Sequence, residues 1–210
     1  SAIELGTRIA RRDLIAAMDR VLSADGTLNS MADDVAEQKY LPFFAPFAES
    51  EASCLSLDVY ANTAIPGLLQ TEAHALAAIG ARCPPLDDDE VARRVQGRVD
   101  RQALLIRRPH AVIGFVIEEH LLRRPLGGRD VHREQLGWLL ECAALRNVSL
   151  QVMPTNAEVH AGLDGPLILL TTDERQRVAY IEGQAGGEQI TDPEQVRVLD
   201  LRYGIIRSQA

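Results

Sequence analysis

The stretch from residue 111 to residue 182 constrains the fold of this chain more than any other part of the sequence. It contains residues 111–117 and 148–153, two apolar runs rich in β-branched side chains, which are typical of strands buried on both faces. The segment between the runs has apolar residues at helical spacing, and Asp130 can cap its first turn. A strand, a helix and a strand in this order favour a right-handed crossover between parallel neighbours.

Two shorter apolar runs, residues 166–170 and 178–181, follow this crossover, with a polar turn over residues 172–176 between them. We predict that they form an antiparallel hairpin that extends the same sheet. Further on, Thr191 and Glu194 fit a capping box that begins a C-terminal helix. The predicted fold class is therefore α/β: a small mixed sheet, made of a βαβ crossover plus an antiparallel hairpin, flanked by N-terminal helices and a C-terminal helix.

The first 60 residues are predicted to form an N-terminal helical region, and residues 61–210 the α/β domain. Residues 11–22 place their apolar side chains on one stripe, which indicates an amphipathic helix, and residues 29–38 indicate a second, shorter one. Residues 40–47 hold three of the four phenylalanines and one tyrosine. This aromatic segment either packs the N-terminal helices onto the core or forms the wall of a ligand pocket or a dimer interface.

A long helix is predicted over residues 88–107, and one of its stripes carries Arg94, Arg98 and Arg101. A row of guanidinium groups can clamp a carboxylate or a phosphate through paired hydrogen bonds. The alternative is pairing with carboxylates at a surface, which Glu90, one turn before Arg94, would allow.

The composition excludes several classes of function. A net charge of −8 argues against a surface that neutralises phosphates along a nucleic-acid duplex. No apolar run approaches the ~20 residues that span a bilayer, and the start of the chain has no secretory signal pattern. Cys54, Cys83 and Cys142 lie far apart without CxxC spacing, which disfavours a disulfide framework or a zinc site and fits a reducing cytoplasm. We predict no cofactor and no metal.

Polar residues follow both core strands of the predicted crossover. Glu118, His120 and Arg123 come directly after the first strand, and a loop over residues 155–165, which contains His160, follows the second. Because ligands of open α/β sheets bind at the carboxyl ends of parallel strands, we expect the two loops to line one cleft. Plain surface charge is the alternative, since strand-to-helix loops are normally polar. The candidate ligand-binding residues are Glu118, His120, Arg123, Gln151, His160, Glu182 and Arg101.

Residues 66–71, Pro-Gly-Leu-Leu-Gln-Thr, begin a helix that is predicted to run to about residue 81. This run resembles the signature of the C-terminal domain of unknown function that follows the helix-turn-helix in actinobacterial XRE-type regulators, the group that includes the WhiJ-like proteins. Residues 3–8 are similar to the segment that closes the DNA-binding domain of those regulators, whereas His74 stands where relatives usually carry an aromatic side chain. Further matches follow in the same order: Arg98, Arg101-Gln102, Leu104-Leu105, Glu118, residues 121–125, Gly127-Gly128, Gln135-Leu136, residues 151–154, residues 160–163, Gly165-Pro166 and residues 180–182.

The resemblance covers nearly the whole chain and implies a function. The chain would be the regulatory domain of an XRE-type transcriptional regulator, preceded by only a remnant of the helix-turn-helix. Such a domain would sense a small-molecule effector or dock a small protein partner, and it would reach DNA only through the missing N-terminal head. A homodimer is expected, because most readers of this kind bind paired half-sites.

Other functions stay open from the residues. An enzyme could use the same cleft for acid-base chemistry on a metabolite, with Glu118 or His160 as the proton carrier, although no side chain stands out as a nucleophile. A pure protein-interaction module is a third possibility. The strand order, with a histidine loop before a hairpin, is also similar to half of a phospholipase D-like fold. That fold uses a His-x-Lys pattern, whereas Ala161-Gly162 follows His160, so we reject phosphodiesterase activity.

Overall fold

A computed structural model describes residues 12–28, 44–107, 110–184 and 186–210. The chain divides into two compact units, residues 1–48 and residues 49–210. The predicted helix over residues 29–38 and the first residues of the aromatic segment lie outside the described residues. Among the helices in the described parts of the chain, none is long and apolar enough to cross a membrane.

The first unit contains helix α1 (Arg12–Val21), where the sequence predicts an amphipathic helix. Of the apolar side chains on the predicted stripe, Ile15 is buried, whereas Val21 is exposed. The carboxylate of Asp19 accepts a hydrogen bond from the backbone N–H of Gly26 at 2.9 Å. Gly26 has a φ of +84°, a conformation that costs glycine little, and this turn follows the helix directly.

The second unit is built from six strands and the helices that flank them. Its strands are β1 (Ser56–Ala61), β2 (Val112–Glu118), β3 (Val148–Met153), β4 (Leu167–Thr171), β5 (Arg177–Gly183) and β6 (Gly186–Ile190). Its described helices are α2 (Ala45–Ser53, which begins in the first unit), a short 3-10 helix (Gly67–Leu69), α3 (Glu72–Gly80), α4 (Asp88–Arg101), α5 (Ala103–Arg107), α6 (Glu119–Arg123), α7 (Arg129–Ala143) and α8 (Pro193–Gln209).

The sheet is mixed, with the strand order β3-β2-β1-β4-β5-β6. Strands β1, β2 and β3 run parallel, and β2 joins its neighbour β3 through α7, which confirms the predicted crossover. Strands β4 and β5 form the predicted antiparallel hairpin. Two strands were not predicted. Five of the six residues of β1 lie in the first 60 residues, which were predicted to be helical, and β1 pairs with both β2 and β4 at the centre of the sheet. Strand β6 extends the sheet beyond β5.

Successive side chains of each strand point to opposite faces of the sheet. One face is covered by α8, which contributes Val196, Tyr203 and Ile206 to a buried apolar cluster. The strand residues of this cluster are Tyr60, Val116, Met153, Leu167, Leu169 and Ala179. The register from β1 through β4 to β5 places Val59, Ile168 and Tyr180 on the other face. Helices α3 and α4 pack together through Ala75, Ile79 and Val95.

Both helices predicted between β1 and β2 are interrupted. The segment after Pro66 forms only a 3-10 turn, and α3 begins at Glu72, because the side chain of Gln135 accepts a hydrogen bond from Thr71 N and donates one to Leu69 O. The helix predicted over residues 88–107 divides into α4 and α5 at Gln102, whose side-chain amide donates a hydrogen bond to the carbonyl of Gln70. Two glutamines distant in sequence therefore set these boundaries.

His74, in the first turn of α3, is a buried histidine that is held in its neutral form. Its side chain is 2 % exposed, and its Nδ1 atom has no hydrogen-bond partner among the described residues. Burial, assisted by the nearby His132 and Arg98, lowers the pKa of His74 to about 4. Between these two pKa values the histidine is protonated in the unfolded chain, where its pKa is near 6.5, and neutral in the folded protein.

Replacing His74 with phenylalanine is expected to remove an acid sensitivity of the fold. The stability cost of His74 is absent above about pH 6.5 and grows as the pH falls toward 4, where it reaches roughly 3 kcal/mol. Urea denaturation at pH 7 and pH 4.5 measures the difference, with exposed His110→Asn as the control. Equal losses of stability at pH 4.5 in the wild type and in His74→Phe would contradict this assignment.

Candidate functional site

The carboxyl ends of β1 and β2 meet at one edge of the sheet, and Glu118 is the polar centre of this edge. Tyr60, in β1, lies on the same face of the sheet as Glu118, and its hydroxyl donates a hydrogen bond to Glu118 Oε1 at 2.7 Å. The Nε2 atom of His160 lies 3.6 Å from the same oxygen. Glu118 is 7 % exposed, so little of its side chain reaches water, and Tyr60 and His160 are its polar neighbours.

His160 belongs to the loop between β3 and β4, residues 154–166, which we call the His160 loop. The backbone N–H of Gly162 donates a hydrogen bond to His160 Nδ1 at 3.2 Å. In a neutral imidazole the proton therefore lies on Nε2, the atom that faces Glu118. The Tyr60 and His160 rings meet edge-on, with centroids 6.5 Å apart. These contacts fix the loop to the strand ends.

A second carboxylate, Glu119, connects the same edge to the next loop. Its Oε2 atom accepts a hydrogen bond from Thr155 N at 2.9 Å, and its Oε1 atom is paired with the guanidinium of Arg123. The Thr155 N–H, followed by Arg123, lowers the pKa of Glu119 to about 2. His120 lies with its Nδ1 atom 4.0 Å from Glu118 Oε2 and has a partly exposed side chain.

The structure brings together four of the seven candidate residues, namely Glu118, His120, His160 and, through Glu119, Arg123. The other three lie elsewhere. Gln151 donates its side-chain amide to the carbonyl of Arg207 in α8. Glu182 lies two residues after Tyr180 in β5, so both side chains are on the face of the sheet opposite Glu118. Arg101 forms an ion pair with Glu51 through two hydrogen bonds. Gln151 and Arg101 therefore do not contact Glu118, whereas Glu182 lines a cavity formed by β4, β5, β6 and α8. A role of these three residues in ligand binding stays a prediction.

Tyr60 is the residue of this site that sequence reasoning missed. Burial, together with the hydrogen bond to Glu118, raises the pKa of its hydroxyl, so Tyr60 stays protonated and acts as a donor. The run Val59-Tyr60-Ala61 is apolar and begins twelve residues after the end of the aromatic segment, but no neighbouring pattern marks it as a strand. We name the group of Tyr60, Glu118 and His160 the rim triad.

A cavity of about 510 Å³ opens at the same edge of the sheet, beside the rim triad. The end of the His160 loop and the adjoining ends of β5 and β6 form two of its walls, and α8 forms a third. Its apolar lining consists of Pro166, Leu167, Ile181 and Leu199. Arg202 and Asp164 form an ion pair at 2.9 Å in its wall, and Glu182 and Glu188 also line it. This volume falls within the range of small-molecule sites.

The chemistry of the rim triad favours positioning over reaction. One nitrogen of His160 accepts a backbone hydrogen bond and the other faces Glu118, so neither nitrogen is directed at an open space. Within the described parts of the chain, no group of three or more histidine, cysteine or carboxylate side chains is arranged to hold a metal ion. The triad therefore holds the His160 loop in place.

The fold and the site define a mixed α/β domain with a ligand-sized cavity that is lined by residues of β4, β5, β6 and α8. Residues 44–210 match a family described as a domain of unknown function (DUF5753). The match covers most of the chain, and the chain belongs to this family. No curated protein and no solved structure matches it.

Proposed function

We propose that this protein is the ligand-sensing regulatory domain of an XRE-type transcriptional regulator of actinobacterial type. The observation that carries the proposal is the cavity of about 510 Å³ beside the rim triad. The resemblance of the motifs to such regulators supplies the context, because a cavity alone does not distinguish a sensor from other binding domains. A small molecule is favoured over a protein partner, since the cavity is concave and of suitable size.

The lining of the cavity indicates the chemistry of the effector. Leu167, Ile181 and Leu199 offer an apolar floor, and the pair of Arg202 with Asp164 offers a polar group that can exchange partners. A molecule with an apolar body and one polar or charged end fits both features. We infer that such a molecule, free in the cytoplasm, is the effector.

A ligand in this cavity would contact segments that connect distant parts of the unit. The His160 loop contacts the strand ends at Glu118, 3.6 Å from His160 Nε2, and is bonded to the end of α8 through Ala161 N, which donates to Gln209 Oε1 at 3.0 Å. Regulation requires that the ligand bind two arrangements of these segments with different affinity. The domain would transmit the difference to DNA through a helix-turn-helix head, in a homodimer that places two heads on paired half-sites.

Native mass spectrometry and DNA binding test this proposal together. Protein purified from its own host is expected to carry an extra mass that denaturation releases, and the same chain joined to a helix-turn-helix head is expected to change its DNA affinity about tenfold when that molecule is removed. Leu199→Trp, which fills the cavity, should lose both effects. Val198→Trp, one residue away and 45 % exposed, is the matched control and should keep them.

Two results would overturn the proposal. One is wild-type protein that carries no bound mass and whose DNA affinity does not respond to host metabolites. The other is an equal response in Leu199→Trp and in the Val198→Trp control, because the effector would then lie outside this cavity.

A further inference from the structure

Arg98, in α4, is an arginine whose charge is not neutralised within the described parts of the chain. Its Nη1 atom donates a hydrogen bond of 2.5 Å to the side-chain oxygen of Gln70, a neutral amide. No carboxylate of the described residues forms an ion pair with it, in contrast to Arg94, which is bonded to Glu90 at 2.6 Å on the preceding turn. A guanidinium has five N–H donors, so most of the donors of Arg98 remain unused.

The surroundings of Arg98 disfavour a positive charge without a partner. Burial removes water from the guanidinium, and the nearby Arg101 repels it, which together lower the pKa of Arg98 to about 10. Arg101 is itself neutralised by Glu51, with bonds of 2.6 Å and 2.7 Å, so that carboxylate is not available to Arg98. The exposed carboxylate of Glu182 attracts Arg98 only from a distance.

The remaining donors of Arg98 can be reached from solvent. Its Nε and Nη2 atoms make no hydrogen bond to the described residues, and neither is among the fully buried polar atoms that lack a partner. Gly67 faces this side of the guanidinium. A Cβ atom at position 67 would lie 3.7 Å from both Arg98 Nε and Arg98 Cδ, so a side chain there would extend across the open donors. Glycine leaves them uncovered.

We propose that Arg98 anchors a second ligand site, which binds the oxyanion of a small molecule through its free Nε and Nη2 donors. The two donors form one edge of a planar fork, which matches the two oxygens of a carboxylate or a phosphate. This site is distinct from the cavity, because Arg98, Gln70 and Gly67 do not line it, although Glu182, whose carboxylate attracts Arg98, is one of the lining residues. It does not depend on the proposed role of the cavity.

The charge balance of the site selects for a single oxyanion. The nearby guanidinium of Arg101 is paired with Glu51. The other polar side chains around Arg98, Gln70 and Gln102, are neutral amides. A ligand that brings one carboxylate, or one phosphate, would neutralise Arg98 without breaking the existing ion pair. Such charge-assisted hydrogen bonds are roughly twice as strong as neutral ones.

Titration of the whole chain with acetate and with inorganic phosphate, at constant ionic strength in chloride, tests this site. The Arg98 Nε–H resonance in nitrogen-edited NMR spectra is expected to shift in a saturable manner, and the phosphate and acetate arms identify which oxyanion is preferred. Arg98→Gln is expected to weaken the binding at least about tenfold, since hydrogen bonds to charged groups contribute about 1.5 kcal/mol or more. Arg94→Gln, on the same helix, should leave the affinity within about twofold.

The test stays decisive if Arg98→Gln does not fold. Arg98→Lys keeps the charge but lacks the planar fork, so it should fold and still bind the oxyanions several-fold more weakly. An Arg98 Nε–H resonance that neither oxyanion shifts in the wild type would overturn the proposal. So would equal affinities in the wild type and in both Arg98 variants.

Discussion

Replacing Arg101 with methionine is expected to lower the free energy of unfolding by about 3 kcal/mol or more. Arg101 donates two hydrogen bonds, of 2.6 Å and 2.7 Å, to the carboxylate of Glu51, which is 2 % exposed. The variant leaves that carboxylate buried without its partner, and a buried unpaired charge costs far more than the net contribution of the intact pair. Urea denaturation at pH 7 measures the loss.

Two further variants isolate the buried pair. Arg197→Met removes one partner of the exposed pair with Glu194 and is expected to change the stability far less, because surface ion pairs contribute little. The double variant of Glu51→Gln with Arg101→Met removes both charges and should recover much of the stability lost in Arg101→Met. If the Arg101 and Arg197 variants lost equal stability, Glu51 would have to reach water in the folded protein.

Replacing Gly162 with alanine is expected to lower the free energy of unfolding by roughly 2–3 kcal/mol and to loosen the His160 loop. A Cβ atom at this position would lie 2.3 Å from the Cζ and hydroxyl oxygen of Tyr60, well inside contact distance. Tyr60 is 1 % exposed and bonded to Glu118, so it has no space to move. The loop must shift instead, and it then loses the contact of His160 with Glu118.

Hydrogen exchange across the His160 loop is the second measurement for this variant, and we expect faster exchange from residue 155 to residue 165. Gly137→Ala, in the middle of α7, is the matched control, because a Cβ atom there meets nothing within 4 Å. That change should stabilise the helix by up to about 1 kcal/mol. If Gly162→Ala were as stable as the wild type and hydrogen exchange in the loop were unchanged, the side chain of Tyr60 would have to move aside at little energetic cost.

The crossover and the hairpin could be predicted because their residues are contiguous and their apolar periodicity is local. Strand β1 could not, because Asp58 interrupts its apolar pattern and suggests a loop. In the folded protein Asp58 accepts a hydrogen bond of 2.6 Å from Arg177, which is 119 residues away in the chain. Strand β6 contains two glycines, which disfavour strands, and it depends on its register with β5.

For the candidate site, too, local patterns could be predicted from the sequence and contacts between distant residues could not. Glu118 and His160 could be placed together from sequence alone, since parallel strands bring their carboxyl ends to one edge. The face of Glu182, opposite that of Glu118, could not be predicted because it depends on a register that passes through β1, the strand that was not predicted. Gln151 was misplaced because its partner is a backbone carbonyl of α8, and backbone partners leave no signal in the sequence.

Helix α8 follows every strand of the sheet in chain order, and this order has a consequence for synthesis on the ribosome. The strands through β6 emerge before residues 193–209, so the face that holds Leu169 and Ala179 meets water while its cover is still being made. Chaperone binding and aggregation depend on such transient apolar surfaces. The nascent chain is therefore most prone to aggregation after residue 190 has emerged from the ribosome and before Ile206 has emerged.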